Sequence, residues 1–381
     1  MTRTEKLLAG LIALPSVNPA FAPSDGASAR QSRHFFGEKN VADFLAATAA
    51  KAGLDVEFQN VFSDRANVIA RLRPKHKIRQ TILLAPHLDT VGADEKQFIP
   101  RIKGGKLHGR GACDTKGSVA AMLSALCDLA SAKTRPVETE IIFTGLIDEE
   151  HAQAGSRALA KKFSADLAIV GEPTNCKVVT AHKGSLWLNL ETRGRAAHGA
   201  TPSLGKNAVH EMARVVDLLE TKYAASLKRR SHPLLGSPTV NTGKIAGGTQ
   251  PNIVPDACMI EVDRRTIPGE TEASVKREIA ALLKSSSLAA KISSAKLAPA
   301  FPLETDPKIS LVQAFLRSAK QPRPFGVHYF CDAAVLAAGG IPSVVFGPGG
   351  IAQAHTADEW ISLAELERAK ILLQNFLGAL P

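Results

Sequence analysis

Apolar residues in this chain fall into two textures. Between Thr81 and Glu172 they form short, nearly unbroken runs separated by a helical stripe. The runs Gln80–Ala85, Glu140–Ile147 and Asp166–Val170 read as strands buried on both faces, as in parallel sheets covered by helices. Between them, Gly117–Ala132 places Val119, Met122, Leu123, Leu126 and Leu129 at three- and four-residue spacing, which predicts a helix. Helices are also predicted over Thr4–Leu14, over Val41–Ala52 with a stop near Gly53, and over Ser156–Phe163. Asp55–Phe62 and Asn67–Leu72 read as strands. Ser16–Gly37, rich in Pro, Ser, Gly and Asn, reads as a surface loop. Alternating β and α elements predict an α/β sandwich.

After His182 the texture changes. Leu186–Thr192 alternates apolar and polar residues, as a half-exposed antiparallel strand does. Lys206–Leu219 and Glu272–Leu283 read as helices, and Thr239–Ile245 and Ala257–Asp263 as strands. This block is expected to be a separate α+β lid. A stretch rich in Ser, Ala and Lys, Lys284–Lys296, follows it. The first texture then returns with a helix over Leu311–Ser318, a buried strand over Ser343–Phe346 and a last helix over Leu363–Leu377. The simplest architecture is one α/β domain built from both ends of the chain, with the lid inserted between.

Composition narrows the function classes. A length of 381 residues suits two domains or one domain with an insertion. A net charge of +11 permits polyanion binding. The basic clusters, Arg71–Arg79 and Lys228–Arg230, lie between apolar runs as solvated loops do. Two Trp and two Tyr offer little for stacking on bases. No nucleic-acid partner and no membrane span are expected. Met1–Ala22 imitates a secretory signal weakly, but Glu5, Pro15 and Asn18 favour an amphipathic helix ended by Pro15. Five widely spaced cysteines without a C-x-x-C pair suggest reduced thiols and a cytoplasmic location.

Candidate chemistry sits where the predicted strands stop, the place where open α/β sheets bind ligands. His87 and Asp89 form an H-x-D pair in which the carboxylate can orient the imidazole. Asp114 lies in GRGACDTKG, whose glycines match neither a dinucleotide fingerprint nor a P-loop. Asp148, Glu149 and Glu150 end the most apolar strand, and three successive carboxylates repel one another unless cations sit among them. One of Glu149 and Glu150 could ligate a metal and the other act as a base. Glu172 follows Val170–Gly171, and His355 lies in GPGGIAQAHTADEW. Taken singly, each could be a turn or capping residue. Taken together, oxygen and nitrogen donors without thiolate suit Zn²⁺, Co²⁺ or Mn²⁺ in a hydrolytic site.

At these residues the chain resembles the two-zinc peptidase and deacylase family that includes acetylornithine deacetylase, succinyl-diaminopimelate desuccinylase, glutamate carboxypeptidase and aminoacylase. The resemblance runs in order along nearly the whole chain. It implies a three-layer α/β/α catalytic domain over residues 1–182 and 299–381, with an inserted ferredoxin-like α+β lid over 183–298 that pairs two copies into a homodimer. It implies two zinc ions: His87 and Glu172 on one, Glu150 and His355 on the other, and Asp114 bridging. Asp89 would support His87, and Glu149 would be the general base. In the lid, RGRAAHGATPSLGKNAV resembles the segment whose His, here His198, stabilises the oxyanion. Asn252 in QPNIVPD and Arg265 in DRRTIPGE match substrate-contacting positions.

The family pattern often has Thr or Ser where Cys331 precedes Asp332, so a hydroxyl role there is not expected. GPGGIAQAH leans toward the acetylornithine deacetylase branch, hence toward amide hydrolysis of N²-acetylornithine and a place in arginine biosynthesis. The rivals are a desuccinylase, a glutamate-type carboxypeptidase or dipeptidase, a non-catalytic binding homologue, and a cysteine nucleophile at Cys113.

Overall fold

The structure is a computed structural model that describes residues 1–22, 33–132, 135–295 and 300–381. The chain divides into two compact units. The first comprises Met1–Thr180, Thr305–Phe325 and Cys331–Pro381; the second comprises Ala181–Glu304 and Gly326–Phe330. The expected boundary at residue 298 lies outside the described residues, as does Lys296.

In the first unit α1 (Arg3–Ile12) begins at a reciprocal cap. The Thr2 hydroxyl accepts the Glu5 N–H and the Glu5 carboxylate accepts the Thr2 N–H. Next, α2 (Lys39–Lys51) ends before Gly53, whose φ of +80° suits a residue without a side chain. The strands β1 (Asp55–Asn60), β2 (Ala66–Leu72), β3 (Gln80–Pro86), β4 (Thr139–Gly145), β5 (Leu167–Gly171) and β6 (Ser343–Val345) lie in the order β1-β2-β4-β3-β5-β6. Here β3 to β6 are mutually parallel, and β1 and β2 add an antiparallel edge.

One face of this sheet, through Ile82, Leu84, Ile141, Phe143, Leu167 and Ile169, joins the main core. α3 (Lys116–Ala130) packs there against α1 and against α7 (Leu363–Gly378), and α5 (Ser310–Ser318) packs on α7. The alternate residues Leu83, Ile142 and Ala168 are buried on the other face, where α6 (Ala333–Ala338) packs on β5 and β6 and α4 (Ala154–Ala160) packs on α6.

Two expectations need correction. The predicted stripe on α3 is too narrow, because every residue from Lys116 to Cys127 is buried, as befits a helix enclosed on all sides. Even the Lys116 ammonium is inside, donating to the carbonyls of Leu11 and Leu14 at the end of α1 at 2.9 and 2.7 Å. The expected surface loop Ser16–Gly37 starts in the interior. Ser16 and Asn18 are fully buried, and the Val17 and Asn18 N–H groups bond the carbonyls of Phe35 and Thr90. Its polar composition reflects satisfied buried groups. Residues 23–32 of that loop lie outside the described residues. Missed altogether was a small sheet of Arg101–Lys103, Lys106–His108 and Trp360–Ser362, too short to show a pattern.

The second unit contains a four-stranded antiparallel sheet in the order Thr239–Gly247, Ala257–Thr266, Gly184–Arg193, Lys291–Ser294. With the helices Ala208–Leu218 and Glu272–Ser285 this is a βαββαβ ferredoxin-like arrangement. Leu186, Leu188, Leu190, Cys258, Ile260 and Val262 face the helical residues Met212, Val215, Val275 and Ile279. The strand Lys291–Ser294 falls inside the stretch rich in Ser, Ala and Lys, where no apolar alternation announces it.

Arg65 is held in a fork by the Glu38 carboxylate at 2.6 and 2.8 Å and also reaches Asp148 at 3.1 Å, with Glu38 and Asp148 almost wholly buried. Arg65→Met strands two buried carboxylates and should cost about 3 kcal/mol, read as a lower urea midpoint with unchanged slope. Fully buried His182 has Nδ1 2.9 Å from the Lys183 carbonyl, while its Nε2 has no partner among the described residues. Burial lowers its pKa to about 4. As pH falls from 6.5 to 4 the unfolded chain takes this proton first, so the folded state loses up to about 3 kcal/mol from this residue over that window. Urea unfolding of His182→Leu should therefore weaken less steeply than wild type across that range. Parallel curves would mean that the folded imidazole titrates normally.

Candidate metal centre

The carboxyl ends of the parallel strands hold the candidate residues in register. Pro86 of β3 pairs with Gly171 of β5, which brings His87 and Glu172 to the same level. Past β3 and β4 the two chains stay bonded, with the Leu146 N–H on the Pro86 carbonyl and the Leu88 N–H on the Leu146 carbonyl at 2.9 and 2.8 Å. This places His87–Asp89 beside Asp148–Glu150.

Asp89 is completely buried and organises the acidic turn. Its two oxygens accept the N–H groups of Glu149 and Glu150, each at 3.0 Å, and Oδ2 accepts Asn18 Nδ2 at 2.7 Å. His87 Nδ1 lies 3.0 Å from the Asp89 backbone carbonyl and 3.5 Å from its carboxylate. The expected support of His87 thus comes from the main chain of Asp89 as much as from its side chain. Asp148 sits in the left-handed region at φ +69°, held by Asn18 Nδ2 at 3.0 Å and by Arg65.

Asp114 occupies the middle of the cluster. Its Oδ1 is 3.1 Å from His87 Nε2, and its Oδ2 is 3.3 Å from His355 Nε2. His355 Nε2 is also 3.2 Å from Glu150, and His87 Nε2 is 3.8 Å from Glu172. Donor atoms of His87, Glu149 and Glu172 lie within 4.8 Å of one another, as do those of His87, Asp114 and Glu150. The geometry therefore brings together all five residues expected as ligands, and the expected base with them. His355 arrives from the loop after β6, also at a positive φ, +61°.

The electrostatics are those of too many acids for the bases present. Burial and the charges of neighbouring carboxylates raise the pKa of Glu149 and Glu172 well above the ordinary value, and Glu150 is raised by burial, partly opposed by its bond to His355. Burial alone would lower His87, but its bonds to Asp114 and Asp89 and the charges of Glu172 and Glu149 hold it well above the usual imidazole range. Bonds to Asp114 and Glu150 push His355 up to about 10. Asp114 is lowered, its burial outweighed by the two imidazoles. Carboxylates crowded like this, with two imidazoles between them whose protons a cation would displace, are a donor set that fits divalent cations.

Several residues of the site were not singled out from the sequence. Asn18, Glu38 and Arg65 brace the acidic turn, and Glu359 accepts hydrogen bonds from the loop bearing Asp114. Asp332 is buried with Oδ1 accepting the Ser156 hydroxyl at 2.5 Å, and Oδ2 has no partner among the described residues. Burial raises its pKa to about 7. None of these lies in an apolar pattern that ends on a polar residue, the signal that exposed His87, Glu149 and Glu172. Cys113 is a poor nucleophile. Its thiol is buried, lies 3.4 Å from the Gly350 carbonyl, and is pushed far up by burial and by Asp114.

His198, Asn252 and Arg265 belong to the second unit. There His198 bridges to Ile253, and the Gly199 N–H bonds the Asn252 carbonyl at 2.7 Å, so the two expected residues share one exposed corner. A pocket of about 530 Å³ beside them is lined by Gly199, Pro202, Gln250, Pro251 and Ile253. Arg265 is half-buried and its Nε bonds Asp263 at 2.9 Å.

An acetylornithine deacetylase of Proteus mirabilis is 30% identical, over 96% of this chain and 94% of that protein. A peptidase M20 domain-containing protein of Schizosaccharomyces pombe is 32% identical, over 86% of this chain and 77% of that protein. Among solved structures, aminopeptidase PepT from Bacillus cereus superposes with a TM-score of 0.78 at 23% identity, covering 99% of this chain and 97% of that one. Bacillus subtilis YXEP, described as a dinuclear metal binding peptidase from the M20 family, superposes with a TM-score of 0.70 at 13% identity, covering 99% and 97%. Residues 83–379, from inside β3 to just past α7, match Peptidase family M20/M25/M40, and the chain is a hydrolase belonging to that family.

Proposed function

We propose that the chain hydrolyses the amide bond of an N-acyl amino acid in a two-metal site, with N²-acetylornithine as the leading substrate. The observation that carries the reading is Asp114, which offers one oxygen to each of two imidazoles, His87 and His355, drawn from distant parts of the chain. The acetylornithine deacetylase relatives support the substrate. In this reading residues 1–182 and 299–381 form the catalytic domain. Residues 183–298 form the lid, through which two copies pair as a cytoplasmic homodimer.

His87 and Glu172 would hold one metal ion, Glu150 and His355 the other, and Asp114 both. When bound, the ions, zinc with Co²⁺ or Mn²⁺ as substitutes, polarise the scissile carbonyl and lower the pKa of water. Glu149 stands among these ligands and takes the proton of the attacking water. As the carbon–nitrogen bond breaks it delivers that proton to the leaving nitrogen, so the products are a free amine and a carboxylate. Asp89 keeps Glu149 in place through its backbone N–H. His198 stabilises the negative oxygen that develops on the carbonyl. Arg265 holds the substrate carboxylate and Asn252 contacts the substrate, and the bond that Arg265 Nε donates to Asp263 fixes the plane of the Arg265 fork.

Two outcomes test this. Glu149→Gln should bind two equivalents of metal by elemental analysis while kcat falls by about 10²- to 10⁴-fold; near wild-type turnover would remove Glu149 as the proton carrier. Amine release from a panel should be greatest for N²-acetylornithine and should vanish with chelator. The panel adds other N-acetyl amino acids, N-succinyl-diaminopimelate, an N-acylglutamate and a dipeptide. Preference for one of the others would keep the chemistry and replace the substrate.

A further inference from the structure

Glu359 lies four residues beyond His355 and is 2% exposed. Its Oε1 accepts the N–H groups of Cys113 and Asp114 at 2.8 and 2.9 Å. Its Oε2 accepts the N–H of Gly111 at 2.9 Å and Arg110 Nη1 at 2.7 Å. Its own carbonyl accepts the Gly109 N–H at 3.0 Å. One carboxylate thus takes four donors from residues 110–114, the loop that presents Asp114. That loop turns at Gly111, whose φ is +81° and where a Cβ would come within 2.9 Å of the Lys116 side chain. A tight turn of this kind points several N–H groups inward, and out of water they need an acceptor. Only a group with two accepting oxygens and no donor serves all four.

The same residue ties this loop to the segment bearing His355. Trp360 begins the strand that pairs with Lys106–His108, so Glu359 is anchored on both sides. Resting on the two-metal reading above, we propose that Glu359 is a positioning residue of the metal centre. It sets the backbone from which Asp114 turns one oxygen to each side, and it locks that backbone to the loop of His355. His87 and Glu172 follow strands β3 and β5 directly and do not depend on it. The ion assigned to Glu150 and His355 therefore depends on Glu359 more than the ion assigned to His87 and Glu172.

Glu359→Gln is a selective probe. An amide has one accepting oxygen, so in either orientation its NH₂ group faces two of the four donors. Arg110→Met is the structural control: it breaks the same buried ion pair but leaves the three backbone bonds. Metal-free wild type and both variants are titrated with Co²⁺ against a chromophoric chelator, well below their melting temperatures, and the cobalt d–d absorption is recorded. For Glu359→Gln the weaker-bound equivalent should lose about 10- to 100-fold in affinity, with an altered spectrum. The tighter equivalent, and both equivalents in Arg110→Met, should stay within about threefold of wild type.

Two wild-type-like equivalents in Glu359→Gln would overturn the proposal while leaving the two-metal reading intact. Fewer than two equivalents in wild type would overturn both. A measurement on the wild type alone guards against a variant that does not fold: the amides of Gly111, Cys113 and Asp114 should be protected from hydrogen exchange in the metal-free protein. Protection that appears only after metal is added would show that the ion, not Glu359, shapes the loop.

Discussion

Repulsion among carboxylates is the constraint on which this structure turns. Asp114, Glu149, Glu150 and Glu172 meet at the ends of the parallel strands, with Asp332 buried nearby and two imidazoles for company. A protein alone relieves such crowding by holding protons, and the raised carboxylates and imidazoles record that. Divalent cations relieve it better, at the price of a site that opposes the folding of the empty chain.

What surrounds the cluster follows from that cost. Asp89 receives the N–H groups of the acidic turn, Arg65 neutralises Glu38 and Asp148, and Asn18 bonds Asp89 and Asp148 together. Glu359 does for the Asp114 loop what Asp89 does for the acidic turn. In each case a buried carboxylate bonds main-chain N–H groups and so holds another carboxylate where it would not go unaided. Rigid β-strands supply His87 and Glu172; the less regular loops that supply Asp114, Glu150 and His355 need these braces.

The parallel strands are legible in the sequence because burial on both faces leaves uninterrupted apolar runs, and a polar residue ending such a run is conspicuous. His87, Glu149 and Glu172 are readable for that reason. His355 and Asp114 sit in glycine-rich loops, where residue type, loop composition and then family resemblance, rather than periodicity, single them out. The braces are illegible because their partners are distant in sequence. Asn18 sits in a stretch whose composition reads as surface, and its burial depends on Asp89 and Asp148. The strand Lys291–Ser294 belongs to the same class, since its pairing with Gly184–Arg193 substitutes for any pattern of its own.

The chain order of the first unit has a consequence for its birth on the ribosome. The second unit is drawn almost wholly from the continuous stretch Ala181–Glu304, whereas β6, His355, Glu359 and α7 belong to the final segment of the first. Domains close as their residues emerge. The inserted unit can therefore close while the sheet of the first still ends at β5, with its acids gathered and its last imidazole unmade. Until the closing segment arrives, the nascent protein carries an open strand edge beside a half-built candidate cation site, the state in which a chaperone has most to protect.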